Sequence, residues 1–289
     1  MEQLFDGELA LLRKKRALIQ GDPGARFLMK RAVDDLEERI ATVERHFKKA
    51  AAVFCLTDDA ARAMQNSTKI GEVARIEVDP ALLENGGLVA GGETLPTEPD
   101  SFDLIVSLLS LHEINDVPGV LAQIRRSLKP DGLFLGAMAG AGTLQELRES
   151  LLEAETELSQ GAAPRVSPFA DVRDIGALLQ RAGFALPVAD LENVTVRYAT
   201  MFDLMRDLRS MGATSILSAR TRRPATRTLF VRAAQIYAER FADPDGRIRA
   251  TFNLVWMSGW APHESQQKPL APGSAKMSLK DALERNKKR

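Results

Sequence analysis

The sequence predicts an α/β fold: a doubly wound, mainly parallel seven-stranded sheet with a helical N-terminal cover and a helical lid inserted late in the chain. Three observations carry this. Short apolar runs alternate with longer segments in which apolar residues recur every three or four positions. The runs end in polar residues, as buried parallel strands do where they enter loops. Finally, Ser101 to Met138 reads as strand, helix, turn and strand, a crossover unit that needs a sheet covered by helices.

From Arg26 to Phe47 the apolar residues Phe27, Leu28, Val33, Leu36, Ile40, Val43 and Phe47 keep a helical spacing with charges between them, which predicts an amphipathic helix. AAAVFCLTDD (Ala50 to Asp59) predicts the first strand and its loop. A helix over Ala60 to Gln65 leads to a second strand, VARIEV (Val73 to Val78), closed by Asp79-Pro80. Gly86-Gly87, Gly91-Gly92, Pro96 and Pro99 mark loops around a short third strand at Leu88 to Ala90. SFDLIVSLLSLH (Ser101 to His112) is the fourth strand, Val117 to Leu128 its crossover helix, LKPDG the turn and LFLGAM (Leu133 to Met138) the fifth strand.

Charged helices over Thr143 to Leu158 and Asp171 to Ala182, the second closed by Gly183, precede Val188 to Tyr198. The alternation of that segment predicts an edge or antiparallel strand. Helices over Met201 to Ser210 and Ala225 to Phe241 form the lid near residues 200–245, and ATFNLVWMSGW (Ala250 to Trp260) is the last strand. The organisation expected is a helical cover over residues 1–47, an α/β domain over 48–262 and a polar tail over 263–289 that ends in the basic, frayed LERNKKR.

At 289 residues the chain can bury a substantial core, and 45% hydrophobic against 27% charged residues excludes a mostly disordered protein. Lys+Arg and Asp+Glu are equal at 39, so no global positive field exists to hold nucleic acid or an anionic membrane. The single cysteine, Cys55, excludes an intramolecular disulfide and a cysteine zinc cage, and points to a reducing compartment. With histidine only at His46, His112 and His263, no metal site is expected. Glu2, Asp6 and Glu8 and the lack of a continuous apolar core argue against an export signal, and the early acids and absence of serine against a mitochondrial presequence. A bacterial-style cytoplasmic location is expected, or the mitochondrial matrix in a eukaryote. The longest apolar run, Leu104 to Leu111, falls short of the roughly 20 residues that span a bilayer, so no transmembrane segment is expected.

In open α/β sheets, ligands bind outside the carboxyl ends of the strands where the strand order reverses. Thr57, Asp58 and Asp59 follow the first strand, Asp79 the second, and Ser107 to Asp116 surround the end of the fourth. Asp79 suits acceptance from the two hydroxyls of a ribose, or capping of the next helix. His112 suits a general base or a substrate contact with Asp116 placed to orient it, while Asn115 and Asp116 also suit helix capping. Cys55 lies inside a strand and reads as a small buried hydrophobe, not a nucleophile. Arg220, Arg222, Arg223 and Arg227 surround Pro224 and suit either an acidic partner or a solvated helix start. The polar run His263 to Lys268, close behind Trp256 and Trp260, predicts a contact with a protein partner.

The segment FDLIVSLLSLHEINDVPGVLAQIRRSLKPDGLFLGAM, its spacing from Asp79 and the order of strands resemble the class I S-adenosylmethionine-dependent methyltransferases, a Rossmann-like fold. RVSPFADVRDIGALLQRAGF, GWAPHESQQKP and the opening LFDGELALLRKKRAL are more specific. They are similar to the methyltransferase-like assembly factors of respiratory complex I, relatives of the malonyl carrier-protein methyltransferases of biotin synthesis. The resemblance covers most of the chain. It implies S-adenosylmethionine as cofactor and a protein substrate, a complex I subunit, modified by methylation or arginine hydroxylation. Its alternative is a degenerate, non-catalytic fold kept as an assembly chaperone. It also implies Thr57, Asp58, Asp79, Glu93 and Ser107 on the cofactor side, and His112 and Asp116 on the catalytic side. Three departures predict weak cofactor binding. FCLTDDAAR (Phe54 to Arg62) has no glycine where the family carries a glycine-rich turn that lets backbone approach the ligand. Gly91 and Gly92 stand where an acid meets the adenine amino group, with Glu93 as a shifted substitute, and Glu113 replaces an aromatic residue after the histidine.

Overall fold

The computed structural model describes residues 3–267 apart from 85, 160, 162, 222 and 223, so Arg222, Arg223 and the basic LERNKKR end lie outside the described residues. Seven strands, β1 (Phe47–Val53), β2 (Ile70–Glu77), β3 (Leu88–Val89), β4 (Phe102–Leu108), β5 (Leu128–Ala139), β6 (Ala185–Tyr198) and β7 (Ile248–Trp260), form one sheet in the order β3-β2-β1-β4-β5-β7-β6. The first five pair in parallel; β7 runs antiparallel between β5 and β6.

Interior parallel strands bury both faces, so successive residues feed opposite cores. Val53 and Ile105 pack with Phe134, Ile124 and Leu179 on one face, while Ala52, Leu104 and Val106 pack with Leu36, Met64 and Trp256 on the other. Helices α4 (Val117–Ser127) and α6 (Val172–Arg181) cover the first face; α2 (Phe27–Thr42) and α3 (Asp59–Asn66) cover the second. A further core joins α5 (Gln145–Leu158), α7 (Met201–Ser210) and α8 (Arg227–Phe241) to β7 through Leu147, Leu204, Tyr237 and Phe252. The N-terminal helix α1 (Gly7–Gln20) starts at Asp6, whose Oδ1 accepts from the Leu9 N–H at 3.0 Å, and ends at Gly21 with φ +59°. Among the described residues no helix is long and apolar enough to cross a membrane.

Three boundaries differ from the sequence expectation. Phe47 keeps the helical spacing yet opens β1 opposite Ile70, because α2 already ends at Thr42. Phe102 pairs with Leu128 and Leu104 with Leu133, so Lys129 to Gly132 is a bulge inside β5 instead of a turn before it. β4 stops at Leu108 since Leu109 is left-handed (φ +56°), which puts His112 into a 3-10 turn, Leu111–Glu113.

The polar run after β7 folds onto this bulge. Gln266 Nε2 donates to Asp131 Oδ1 and to the Ala261 carbonyl, both at 2.8 Å, and Arg45 pairs with Asp131 while lying 5.4 Å from the Trp260 ring centroid. Trp260 pairs with Leu133, so the segment sits at the sheet end opposite the carboxyl ends of the parallel strands.

Candidate active site

The strand order reverses at β1, which pairs with β2 on one side and β4 on the other. A cavity opens at their carboxyl ends, with an empty volume of about 1230 Å³ counting its mouth, and Leu56, Thr57, Ser110, His112 and Glu113 on its wall. Helix α1 closes one side through Lys14, Ala17 and Leu18.

The turn after β1 follows a left-handed path without glycine. Phe54 (φ +54°) and Leu56 (φ +58°) both adopt it, at about 1–2 kcal/mol per residue for a side chain of L configuration. Two buried charges on β2 fix that turn. Glu77 accepts from the Leu56 N–H at 2.9 Å, and Arg75 Nη2 donates to the Leu56 carbonyl at 3.3 Å and to the Leu82 carbonyl at 3.0 Å. Burial pushes the Glu77 carboxyl up to about 7, against the opposing pull of Lys14 and Arg75. Leu109 and Leu144, also left-handed, line the same cavity as Leu56. Such backbone is held where its surroundings over-determine it, and clusters at functional sites.

The residues singled out from sequence separate into two groups. Thr57 and His112 line the cavity. Thr57 donates its hydroxyl to Asp59 at 2.8 Å. His112 is packed against Phe169, and its Nδ1 accepts from the Ala139 N–H at 3.4 Å, which leaves the proton of the neutral ring on Nε2. Burial holds its pKa below the ordinary histidine value, outweighing the pull of Glu113, so the ring is neutral at pH 7.

The other expected site residues serve the fold around the cavity. Asp58 pairs with Arg62 one turn along α3. Asp79 caps the 3-10 turn Pro80–Leu82 through the Ala81 N–H at 2.9 Å and receives Lys15 Nζ at 2.8 Å, whose hydrogen bond holds its pKa below the usual carboxylate range. The Glu93 carboxylate accepts from the backbone N–H groups of Asn115 at 2.7 Å and Asp116 at 2.8 Å. Asp116 caps α4 through the Gly119 N–H at 2.9 Å and does not orient His112. A Cβ at Gly119 would crowd the Asp116 carboxylate, so a larger residue there must displace the cap. Ser107 is completely buried inside β4, away from the cavity wall. Cys55 is likewise buried, and desolvation pushes its thiol up to about 12, which removes any nucleophilic thiolate at pH 7.

Sequence reasoning missed the main electrostatic feature. Lys14 Nζ meets Glu113 Oε2 at 2.8 Å on the cavity wall, with only 17% and 14% of the two side chains exposed. Burial opposes ionisation of both, but each partner outweighs it, raising the lysine pKa and lowering the glutamate pKa. The pair draws α1 over the site together with Lys15 on Asp79 and with Asn115, whose side-chain amide pairs with both backbone groups of Phe5 at 2.9 and 3.2 Å. Arg75 and Glu77 gave a signal that went unused: charged residues two apart on one face of the apolar strand VARIEV.

Comparison with known proteins agrees with this architecture. The family model described as "Methyltransferase domain" matches residues 55–136. The chain is 38% identical over 292 residues to the mitochondrial arginine-hydroxylase NDUFAF5 of Mus musculus, covering 98% of this chain and 84% of that one. It is also 38% identical over 285 residues to the Homo sapiens protein of the same name, covering 96% and 82%. The malonyl-acyl-carrier-protein O-methyltransferase of Halorhodospira halophila is 29% identical over 263 residues, covering 87% of each chain. Among solved structures, the YcgJ protein of Bacillus subtilis shares the fold with a TM-score of 0.53 at 16% identity, covering 79% of this chain and 98% of that one. Similarity to the NDUFAF5 proteins along nearly the whole sequence, on a methyltransferase sheet, means that the chain belongs to the methyltransferase-like complex I assembly factor family and is related to the malonyl carrier-protein methyltransferases.

Proposed function

We propose that this chain is an S-adenosylmethionine-dependent methyltransferase-like protein that modifies a protein substrate, a complex I subunit, during assembly of respiratory complex I. The observation that carries this reading is the cavity at the β1–β4 switch point, with Thr57, His112 and Glu113 on its wall, in a relative of arginine-hydroxylase NDUFAF5. The β1 turn has the left-handed course, and Thr57, Ser110 and His112 offer hydrogen-bonding groups on the cavity wall, so the residues present fit it. When bound, S-adenosylmethionine supplies an electrophilic methyl group and a positive sulfonium centre. Of the residues expected from sequence, Thr57 on the cavity wall would face the cofactor directly, and Asp79, outside the wall, would accept from its ribose only once Lys15 withdraws. Glu113, on the cavity wall, would offer a carboxylate to that positive centre. His112, neutral with its proton on Nε2, is a hydrogen-bond donor that holds an acceptor on the bound molecules in position; Asp58, Glu93, Ser107 and Asp116 shape the site from behind. The protein acts in a reducing compartment, the cytoplasm of a bacterial cell or, in a eukaryote, the mitochondrial matrix.

Lys14 on Glu113, Lys15 on Asp79 and the side chain of Leu56 favour a second reading, a non-catalytic assembly chaperone on the same fold. Calorimetric titration with S-adenosylhomocysteine separates the two. The parent protein is expected to bind more weakly than about 1 μM. Leu56→Gly keeps the left-handed turn and clears a side chain from the wall, so binding tightens by about tenfold. Asp79→Ala weakens it by about 1–3 kcal/mol through loss of charge-assisted hydrogen bonds. Submicromolar binding by the parent protein contradicts the obstruction at Leu56; no heat from any variant leaves the chaperone.

A further inference from the structure

A second cleft opens from the wall of the first. The two share Leu144, Ser167, Phe169, Leu208, Ala213 and Thr214, so one extended molecule can occupy both. The second has an empty volume of about 1120 Å³ counting its mouth, and an apolar floor that includes Leu147, Leu151, Met205 and Phe230. Arg13, Arg165, Arg209 and Arg220 stand around it, and among the described residues no aspartate or glutamate lines it. In a chain with equal numbers of acids and bases, that is a strongly one-sided wall.

Two of the four arginines are already matched. Arg165 holds Glu155 with Nη2 at 2.6 Å and Nε at 3.1 Å, and Arg220 holds Asp6 at 2.9 Å. Arg13 donates to the Ser215 carbonyl, with Asp6 and Glu113 near enough to act on its charge; Arg209 has no side-chain partner among the described residues. Burial, reinforced by the repulsion of Arg220, holds the Arg13 guanidinium below its ordinary pKa against the pull of Asp6 and Glu113. A carboxylate suits both, because it accepts two parallel N–H bonds from a guanidinium.

We propose that this cleft takes an acidic, apolar-flanked segment of the protein substrate, with its carboxylate between Arg13 and Arg209 and its neighbouring apolar side chains on the floor of Leu147, Met205 and Phe230. The inference rests on the reading of the protein as one that modifies another protein. It adds the substrate class: the residue to be modified enters the first cavity while an acidic neighbour is gripped in the second. The shared wall gives the reason, since a peptide is long enough to lie in both clefts and a single small anion is not.

The test measures fluorescence anisotropy of a short fluorescein-labelled peptide of alternating leucine and glutamate, beside versions with glutamine or lysine in place of glutamate. The glutamate peptide is expected to bind at least about tenfold tighter than the glutamine one, with affinity falling as salt rises. Arg209→Glu weakens it by about three- to tenfold, and Arg209→Lys retains most of it. Arg209 is exposed and unpaired among the described residues, so both variants fold. Equal binding of the three peptides, no binding, or indifference to Arg209→Glu overturns the proposal. Glutarate binding as tightly as the peptide assigns the cleft to small dicarboxylates and overturns it too. Titration with S-adenosylhomocysteine reports on the first cavity alone. Acidic-peptide binding without cofactor binding therefore removes the enzymatic reading and leaves this one, and the converse result does the opposite.

Discussion

Replacing Glu77 by glutamine is expected to leave stability near pH 4 almost unchanged and to raise it by up to about 3 kcal/mol above pH 8. In the folded protein the carboxyl titrates at about 7, against 4.5 for the free side chain. The folded state therefore binds more protons than the unfolded state between those values. Stability falls as pH rises through that window, and the whole difference is lost once pH passes the folded pKa. A gap of that width corresponds to about 3 kcal/mol. Glutamine keeps a carbonyl oxygen to accept from the Leu56 N–H at the same place but cannot ionise, so the penalty disappears. Arg75 retains its bonds to the carbonyls of Leu56 and Leu82. Urea unfolding of both proteins from pH 4 to pH 8.5 checks this: parallel stability curves would show that Glu77 is charged throughout. Because Glu77 holds the turn on which the cofactor would rest, the variant also tests whether cofactor affinity varies with pH through this one carboxyl.

Much of this architecture was legible. Buried parallel strands are apolar on both faces, so AAAVF and FDLIVSL announce themselves whatever their partners, and the half-buried edge strand β6 shows its alternation. α7 runs over the expected residues, Met201–Ser210, because Thr200 caps it and its apolar stripe is unbroken. Phe47 was misleading because a spacing of four from Val43 serves a helix and a following strand equally well. The site was harder for a physical reason. Capping or binding by Asp79 depends on Lys15, and the environment of Glu113 depends on Lys14, partners from the far end of the chain that no local pattern reveals. Asp116 is near His112 in sequence, yet the 3-10 turn and the start of α4 direct its carboxylate to Gly119. Left-handed backbone at Phe54 and Leu56 is likewise invisible in an apolar run; the absence of glycine argued for loss of the turn, whereas the fold keeps the turn and bears its strain.

Lys14→Met is expected to have the largest effect on stability, a loss of about 3–5 kcal/mol. The change keeps the unbranched stem but removes the cation, leaving the mostly buried Glu113 carboxylate without the partner 2.8 Å away. Burial alone pushes that carboxyl up, and Lys14 is the largest influence that brings it back below the usual range. In the variant Glu113 therefore takes up a proton at higher pH, and the loss of stability becomes smaller in acid. Glu113→Leu is expected to be similarly costly, since it strands the ammonium instead. Lys14→Met combined with Glu113→Leu removes both charges and is expected to recover most of the stability, because two apolar side chains can fill a site that two unpaired ions cannot. The double-mutant cycle by chemical denaturation isolates the coupling. If the double variant is as unstable as the sum of the two single ones, α1 is held by packing alone, and the pair is not what draws it over the cavity. A large coupling identifies the Lys14–Glu113 contact as the latch that any cofactor entering past α1 must release.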